Sequence, residues 1–192
     1  GQPFAEAVLA GYKAFLCSGH FLFLHEPESS RDDAAIVARL SHFLWNTRPD
    51  EALQQRRDNG ELHVAKTLRQ ETDRLVDAPQ FERFITNFTD YWLDLKELGR
   101  DQPDIRLYPE YRGDDYLIES MGWETRAFVT ALFRENLPVS AIVDSDFAWI
   151  NDRLARHYRL AAVSGSAPRD VELPPGSMRG GLLTQAAILK ST

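Results

Sequence analysis

The sequence predicts a mainly α fold: a multi-helix orthogonal bundle with one small β-hairpin near the C-terminus. Three observations predict it. Apolar residues recur at steps of three and four through most of the 192 residues. Ring-bearing side chains line one such seam between Phe81 and Leu98. A two-residue alternation is confined to the stretch near 169–183.

In chain order, residues 3–18 read as a helix with Phe4, Val8, Leu9, Tyr12, Phe15 and Leu16 on one stripe, ended by Gly19. A short apolar run over 21–24 follows, and Pro27 stops the chain beyond it. Ser29 or Ser30 is expected to cap a second helix with Asp32 and Asp33 in its first turn, where carboxylates meet the positive helix end. Its face is Ile36, Val37, Leu40, Phe43 and Leu44. Pro49 opens a short helix from Asp50 to Arg57, and Asn59-Gly60 turns the chain. The helix over 62–77 is polar, with Leu68, Leu75 and Val76 as a thin apolar edge.

The strongest periodicity is Phe81, Phe84, Phe88, Tyr91, Leu95 and Leu98, widened by Ile85 and Trp92. It predicts one central helix over 81–98 with the others packed around it, each fully buried side chain contributing roughly 1.5–3 kcal/mol. Residues 99–113 carry Gly99, Pro103, Pro109 and Gly113 and read as an ordered loop, because Ile105, Leu107, Tyr108 and Tyr111 are too apolar to stand in water. The longest helix spans 114–136, with Leu117, Met121, Phe128, Ala131 and Leu132 inward, and Pro138 breaks it. After a turn at 139–143, Asn151 caps a helix from Asp152 to Tyr158. Val171 and Leu173 alternate like a strand, Pro174-Pro175-Gly176 turns, and Met178–Leu183 is the expected returning strand. Residues 184–192 begin another helix, from which we expect the parent protein to continue beyond Thr192.

The composition excludes several classes. Apolar residues make up 43% and charged residues 27%, a globular balance. A chain this long can bury about 70% of its extended surface, so it needs no staples. Net charge is −7, a poor match to nucleic acid. No apolar run reaches the length of a membrane span, and Gly-Gln-Pro-Phe is no signal peptide. A single cysteine, Cys17, excludes a disulfide framework and thiolate metal clusters.

Candidate chemistry is sparse. Cys17-Ser-Gly-His20 lacks the second thiol of a covalent haem motif, so we expect a buried thiol at a helix end. No two of His20, His25, His42, His63 and His157 stand four apart, and His42 reads as a packed edge residue with a hydrogen bond. From Asp90 to Glu124 ten acids (Asp90, Asp94, Glu97, Asp101, Asp104, Glu110, Asp114, Asp115, Glu119, Glu124) face four bases (Lys96, Arg100, Arg106, Arg112). Paired glycosidase carboxylates or a calcium site could draw on such a set. The plainer reading is a solvated acidic face, with Asp114 and Asp115 explained by the helix start. Asp144-x-Asp146 lacks the remainder of a calcium loop.

Arginine outnumbers lysine 18 to 4, which suits arginine–carboxylate networks. Arg153, Arg156 and Arg159 form at most a small solvated ridge. Ser164-Gly165-Ser166 is no nucleophile elbow, and Gly180-Gly181 lacks the rest of a phosphate loop. Trp45, Trp123 and Trp149 read as core before contact surface. The residues alone therefore designate no catalytic, cofactor-binding or metal-ligating side chain.

Several strings, taken together, resemble a known family. They are Ala38-Arg-Leu-Ser-His-Phe-Leu-Trp45, Pro49-Asp50-Glu51, Tyr91-Trp92-Leu93, Pro103-Asp104, Leu107-Tyr-Pro-Glu-Tyr111, Glu124-Thr125, Asn151-Asp-Arg-Leu-Ala-Arg-His-Tyr158 and Arg179-Gly-Gly-Leu-Leu-Thr-Gln-Ala186. The chain resembles planctomycete-specific domain four, a cytochrome-associated domain of unknown function, over about residues 31–163. Residues 1–26 look like the tail of the preceding domain five. Residues 164–192 read as a loop, the hairpin and the start of the following domain, which the resemblance places from about 177. Departures occur at His42, where Tyr is common, at Arg159, where Gly is common, and at Cys17 and His20.

The resemblance implies an exported protein, periplasmic or at the cell surface, with haem held elsewhere in the parent chain and none in this segment. It implies adjacent domains or another subunit as partners; the absence of nucleic acid and of a membrane span is expected from the charge and the apolar runs. It carries over no catalytic residue. The leading expectation is a structural or interaction module that is not an enzyme. The rivals are a polysaccharide hydrolase with paired carboxylates, an oxidoreductase fed by a separate haem domain, and a docked subunit of a membrane redox complex.

Overall fold

The computed structural model describes residues 3–23, 32–100, 104, 106–109 and 113–191. The fold is mainly helical, with one antiparallel pair of short strands near the C-terminus. The chain divides into two compact units, residues 1–75 and 76–192.

The first unit opens with α1 (Phe4–Leu16) and α2 (Gly19–Leu22). The stripe of α1 has the expected spacing, but none of it is buried, and Phe4 is 85% exposed. α3 (Asp33–Trp45) is capped by Asp32, whose carboxylate accepts the Ala34 N–H; Ser29 and Ser30 lie outside the described residues. Its buried face is Ala35, Val37, Ser41, Leu44 and Trp45, rotated from the expected one, so Phe43 is exposed. The Trp45 indole N–H donates to the Leu75 carbonyl at 2.9 Å, which suits a core ring with a polar edge. α4 (Glu51–Asp58) is capped by Asp50, and α5 (Ala65–Asp77) buries Leu75 and, unexpectedly, Glu71.

The second unit departs most from expectation at the 81–98 seam. A 3₁₀ turn at Pro79–Phe81 leads into α6 (Glu82–Trp92), which ends there because Asp94 takes a left-handed conformation at φ 54°. Phe81, Phe84, Ile85, Leu95 and Leu98 are buried, but Tyr91 is 83% exposed and Phe88 and Trp92 stand partly in solvent. The central element is instead α7 (Asp115–Arg134), which packs against α6, α8, α9 and the first strand. Leu107 and Tyr108 are exposed, contrary to expectation, and Ile105 and Tyr111 lie outside the described residues.

The strand pair also differs in its partner. β1 (Phe147–Ile150) pairs antiparallel with β2 (Arg169–Glu172), Ile150 opposite Arg169. Residues 178–183 form no strand; Leu182–Thr184 is a 3₁₀ turn leading to α9 (Ala186–Ser191). Between the strands Asn151 caps α8 (Asp152–Tyr158), as its position predicts. Arg159 ends α8 in the left-handed region at φ 56°, so the cap geometry forms without the glycine that would hold it free of strain. Leu117, Met121, Ile150, Leu154, Ala155 and Ala187 make the heart of this unit's core.

Candidate functional site

The second unit's most unusual side chain is Glu124. It occupies the apolar row of α7 in register with Leu117, Met121 and Phe128, and only 2% of it is exposed. The Tyr158 hydroxyl, from α8, donates to Glu124 Oε2 at 2.5 Å and accepts from the Ala186 N–H at 2.8 Å. The Arg179 guanidinium lies over the Tyr158 ring, 3.8 Å from its centroid, and donates to the Thr184 carbonyl. Beside them Thr125 Oγ1 donates to Gln185 Oε1 at 2.7 Å. Burial pushes the Glu124 carboxyl up to about 8; the Tyr158 donor, the Arg179 charge and the Ala186 N–H offset only part of that. Burial and the neighbouring carboxyl also push the Tyr158 phenol up.

A second buried node lies at Asn151. Its amide donates to Ser120 Oγ at 2.8 Å, the Ser166 carbonyl at 3.0 Å and Tyr116 Oη at 3.3 Å, while its oxygen accepts the Leu154 N–H. Tyr116 in turn donates to Asp152. Ser164-Gly165-Ser166 is thus the loop that closes over the start of α8, since Gly165 also accepts the Asp152 N–H.

An open cleft of about 660 Å³ runs along α6 and α7 and is closed on one side by Ser166–Pro168. Phe81 and Ile85 form its floor, and Trp123, Arg126 and Arg134 line it from α7. Asp77 and Glu82 also line it, so two carboxylates face one concavity of ligand size. Arg126 is committed to Asp90 at 2.6 Å, and its Nε has no hydrogen-bond partner.

The first unit holds a different acid cluster. Glu71, 5% exposed, is bound by Arg74 at 2.8 Å and approached by Arg56 at 3.5 Å. Arg74 also forks onto Asp50. Burial works to raise the Asp50 carboxyl, but the Arg74 guanidinium and the Leu53 N–H outweigh it and hold it below its usual range. Asp33, buried at the start of α3, accepts the Leu62 N–H on Oδ2, and its Oδ1 meets only the exposed His63 Nε2, 2.9 Å away.

The remaining sequence candidates are dispersed. Cys17 is exposed at the end of α1, not buried, because none of the described residues buries that stripe. His42 is exposed and is no packed edge residue, since the buried face of α3 is rotated away from it. His157 is half-buried beside Tyr158, while the side chain of His20 and all of His25 lie outside the described residues.

Among the acids from Asp90 to Glu124, four are in ion pairs: Asp90 with Arg126, Glu97 with Arg100, Asp104 with Arg106, Asp114 with Arg153. Asp94, Asp115 and Glu119 are exposed, Asp101 and Glu110 lie outside the described residues, and Glu124 alone breaks the solvated pattern. Arg153 is half-buried on Asp114 and Arg156 reaches Asp152, so two of the three arginines are in ion pairs, and Arg159 ends the helix. Among the described residues no three acidic, histidine or cysteine side chains converge as metal ligands, and no helix is long and apolar enough to cross a membrane.

Gly180-Gly181 serves close packing. A Cβ on Gly180 would lie 2.5 Å from the Ser145 carbonyl oxygen, and one on Gly181 2.6 Å from the Ile142 and Val143 carbonyls. Trp45 is core, as expected, while Trp123 and Trp149 are only partly covered. The 90–124 acids stand out by density, whereas Glu124 and, between Leu68 and Leu75, Glu71 stand out by register.

No curated protein and no solved structure matches the chain. A family model matches residues 32–160, well over half the chain and the whole of α3 to α8. The chain therefore belongs to the PSD4 family, proteins of unknown function (DUF1592).

Proposed function

We propose that this domain is a structural and interaction module of a larger exported, cytochrome-associated protein, periplasmic or at the cell surface, and that it performs no turnover of its own. Residues 1–26 are then the end of a preceding domain, residues 31–163 the module, and residues 164–192 the passage to the next. Haem, where the parent protein carries it, is held elsewhere, and the partners are adjacent domains or another subunit. The observation that carries this reading is the use to which buried polar groups are put. Glu124, Tyr158, Asn151 and Gln185 each spend their hydrogen bonds joining one element to another. The exposed stripe of α1, including Phe4, Tyr12 and Phe15, supports the interaction half.

Asp77 and Glu82 in one cleft favour a second reading, a polysaccharide hydrolase with paired carboxylates. One experiment separates the two. The chain is assayed for release of reducing ends from a panel of surface polysaccharides, beside Asp77→Asn and Glu82→Gln. The module reading expects no release above buffer from any of the three. Release that disappears in either variant refutes it.

A further inference from the structure

Glu124 joins three parts of the second unit at one point. It belongs to α7, receives the Tyr158 hydroxyl from α8, and through that oxygen meets the first N–H of α9. The segment Arg179–Ser191 has further ties to the same wall. Thr125 holds Gln185, the Arg179 guanidinium covers the Tyr158 ring, and Lys190 Nζ donates to the Leu98 carbonyl at 2.7 Å. Its own buried apolar side chains are few and mostly small: Leu182, Ala186 and Ala187. Polar ties therefore carry an unusual share of its attachment.

We propose that Arg179–Ser191 is a strap whose closure is governed by the charge on Glu124: closed while the carboxyl is neutral, opening when it ionises. A closed strap over a carboxylate must hold a charge away from water. Arg179 is the cation that faces it, and its guanidinium is committed to the Thr184 carbonyl and the phenol ring. From α8 the facing group is the Tyr158 phenol, while Arg153 and Arg156 are held by Asp114 and Asp152. From α9 it is the Ala186 N–H, with Lys190 bound at Leu98. Opening admits water to the carboxylate and removes the penalty.

The direction with pH follows. Below the ordinary glutamate value both states are protonated, and opening is independent of pH. Above it the open state releases a proton that the closed state retains, so opening becomes easier by about tenfold per pH unit until the buried group itself ionises near 8.

Amide hydrogen exchange on the full chain tests this, with rates corrected for the base catalysis of exchange itself. Protection of the amides from Leu182 to Lys190 is expected to fall about tenfold per unit between pH 5 and 8 in the wild type. In Glu124→Gln it is expected to be flat. The central amides of α7 are expected to keep their protection over the same range. A flat wild-type profile, a slope that survives in Glu124→Gln, or an equal loss across α7 overturns the proposal. Should Glu124→Gln fail to fold, the side-chain carbonyl carbon of Glu124 is titrated by NMR in the wild type. A midpoint near 8, where the strap's loss of protection levels off, supports the proposal, and a midpoint in the usual glutamate range overturns it.

Discussion

Glu71 in the first unit and Glu124 in the second are the same residue type at the same kind of position, an apolar row of a helix, and both are almost fully covered. Their partners differ. Glu71 faces two guanidinium groups, and Glu124 faces a phenol with one arginine lying over that ring. A buried carboxyl beside cations is compensated as a charge, whereas one beside a neutral donor is cheapest as an acid. Register decides that an acid is buried; its neighbours decide how that burial is compensated.

The comparison can be broken most strongly at Tyr158. Tyr158→Phe keeps the ring under Arg179 but removes the hydroxyl that donates to Glu124 and accepts from the Ala186 N–H. It is expected to cost about 3 kcal/mol, seen as a lower urea midpoint with unchanged slope. The next largest effect is at Glu71. Glu71→Gln preserves shape and removes the charge that holds Arg74 and Arg56, at a cost of about 2 kcal/mol. The same change at Glu124 is expected to shift stability by no more than about 1 kcal/mol below the ordinary glutamate value, where the carboxyl is neutral in both states. Its signature lies in pH dependence. The raised folded value means that Glu124 favours folding fully below the ordinary glutamate value and loses that contribution as pH rises toward 8, by at most about 1.4 kcal/mol per unit. Glu124→Gln should erase that decline in urea titrations at stepped pH, and Glu71→Gln should leave it intact. Equal pH profiles in the two variants would show that the two acids do not differ in kind.

The smallest contrast compares two helix stops. Asn46 ends α3 and Arg159 ends α8, both left-handed, at φ 49° and 56°. Asparagine tolerates that region and arginine does not, so Arg159→Gly is expected to stabilise by about 0.5–1 kcal/mol and Asn46→Gly to change little. Thermal midpoints of the two variants check this.

Much of this was legible in the sequence, and the failures have physical causes. The row of α7 and the presence of α3 to α5 follow from periodicity, and Asn151 is readable as a cap, whereas the buried face of α3 is rotated from the one its spacing suggests and the cap at Asp50 is not read. The Phe81 seam was readable to Trp92 but not past it, because a single left-handed residue, Asp94, ends α6 without disturbing the spacing of Leu95 and Leu98. β1 is four residues long, too short to show an alternation, and its pairing with β2 is a non-local choice. The expected returning strand failed where Gly180 and Gly181 lie against the carbonyls of 142–145, a contact that no local pattern records. A stripe such as that of α1 tells which side chains share a face, never whether anything covers them. By density Glu124 is one acid among many, and only its place between Met121 and Phe128 marks it as different.

The exposed thiol at the end of α1 has a practical consequence. Cys17 is the only cysteine in the chain. A maleimide fluorophore therefore attaches at one known address, far in sequence from either glutamate. Its anisotropy then reports how freely the apolar N-terminal helix tumbles.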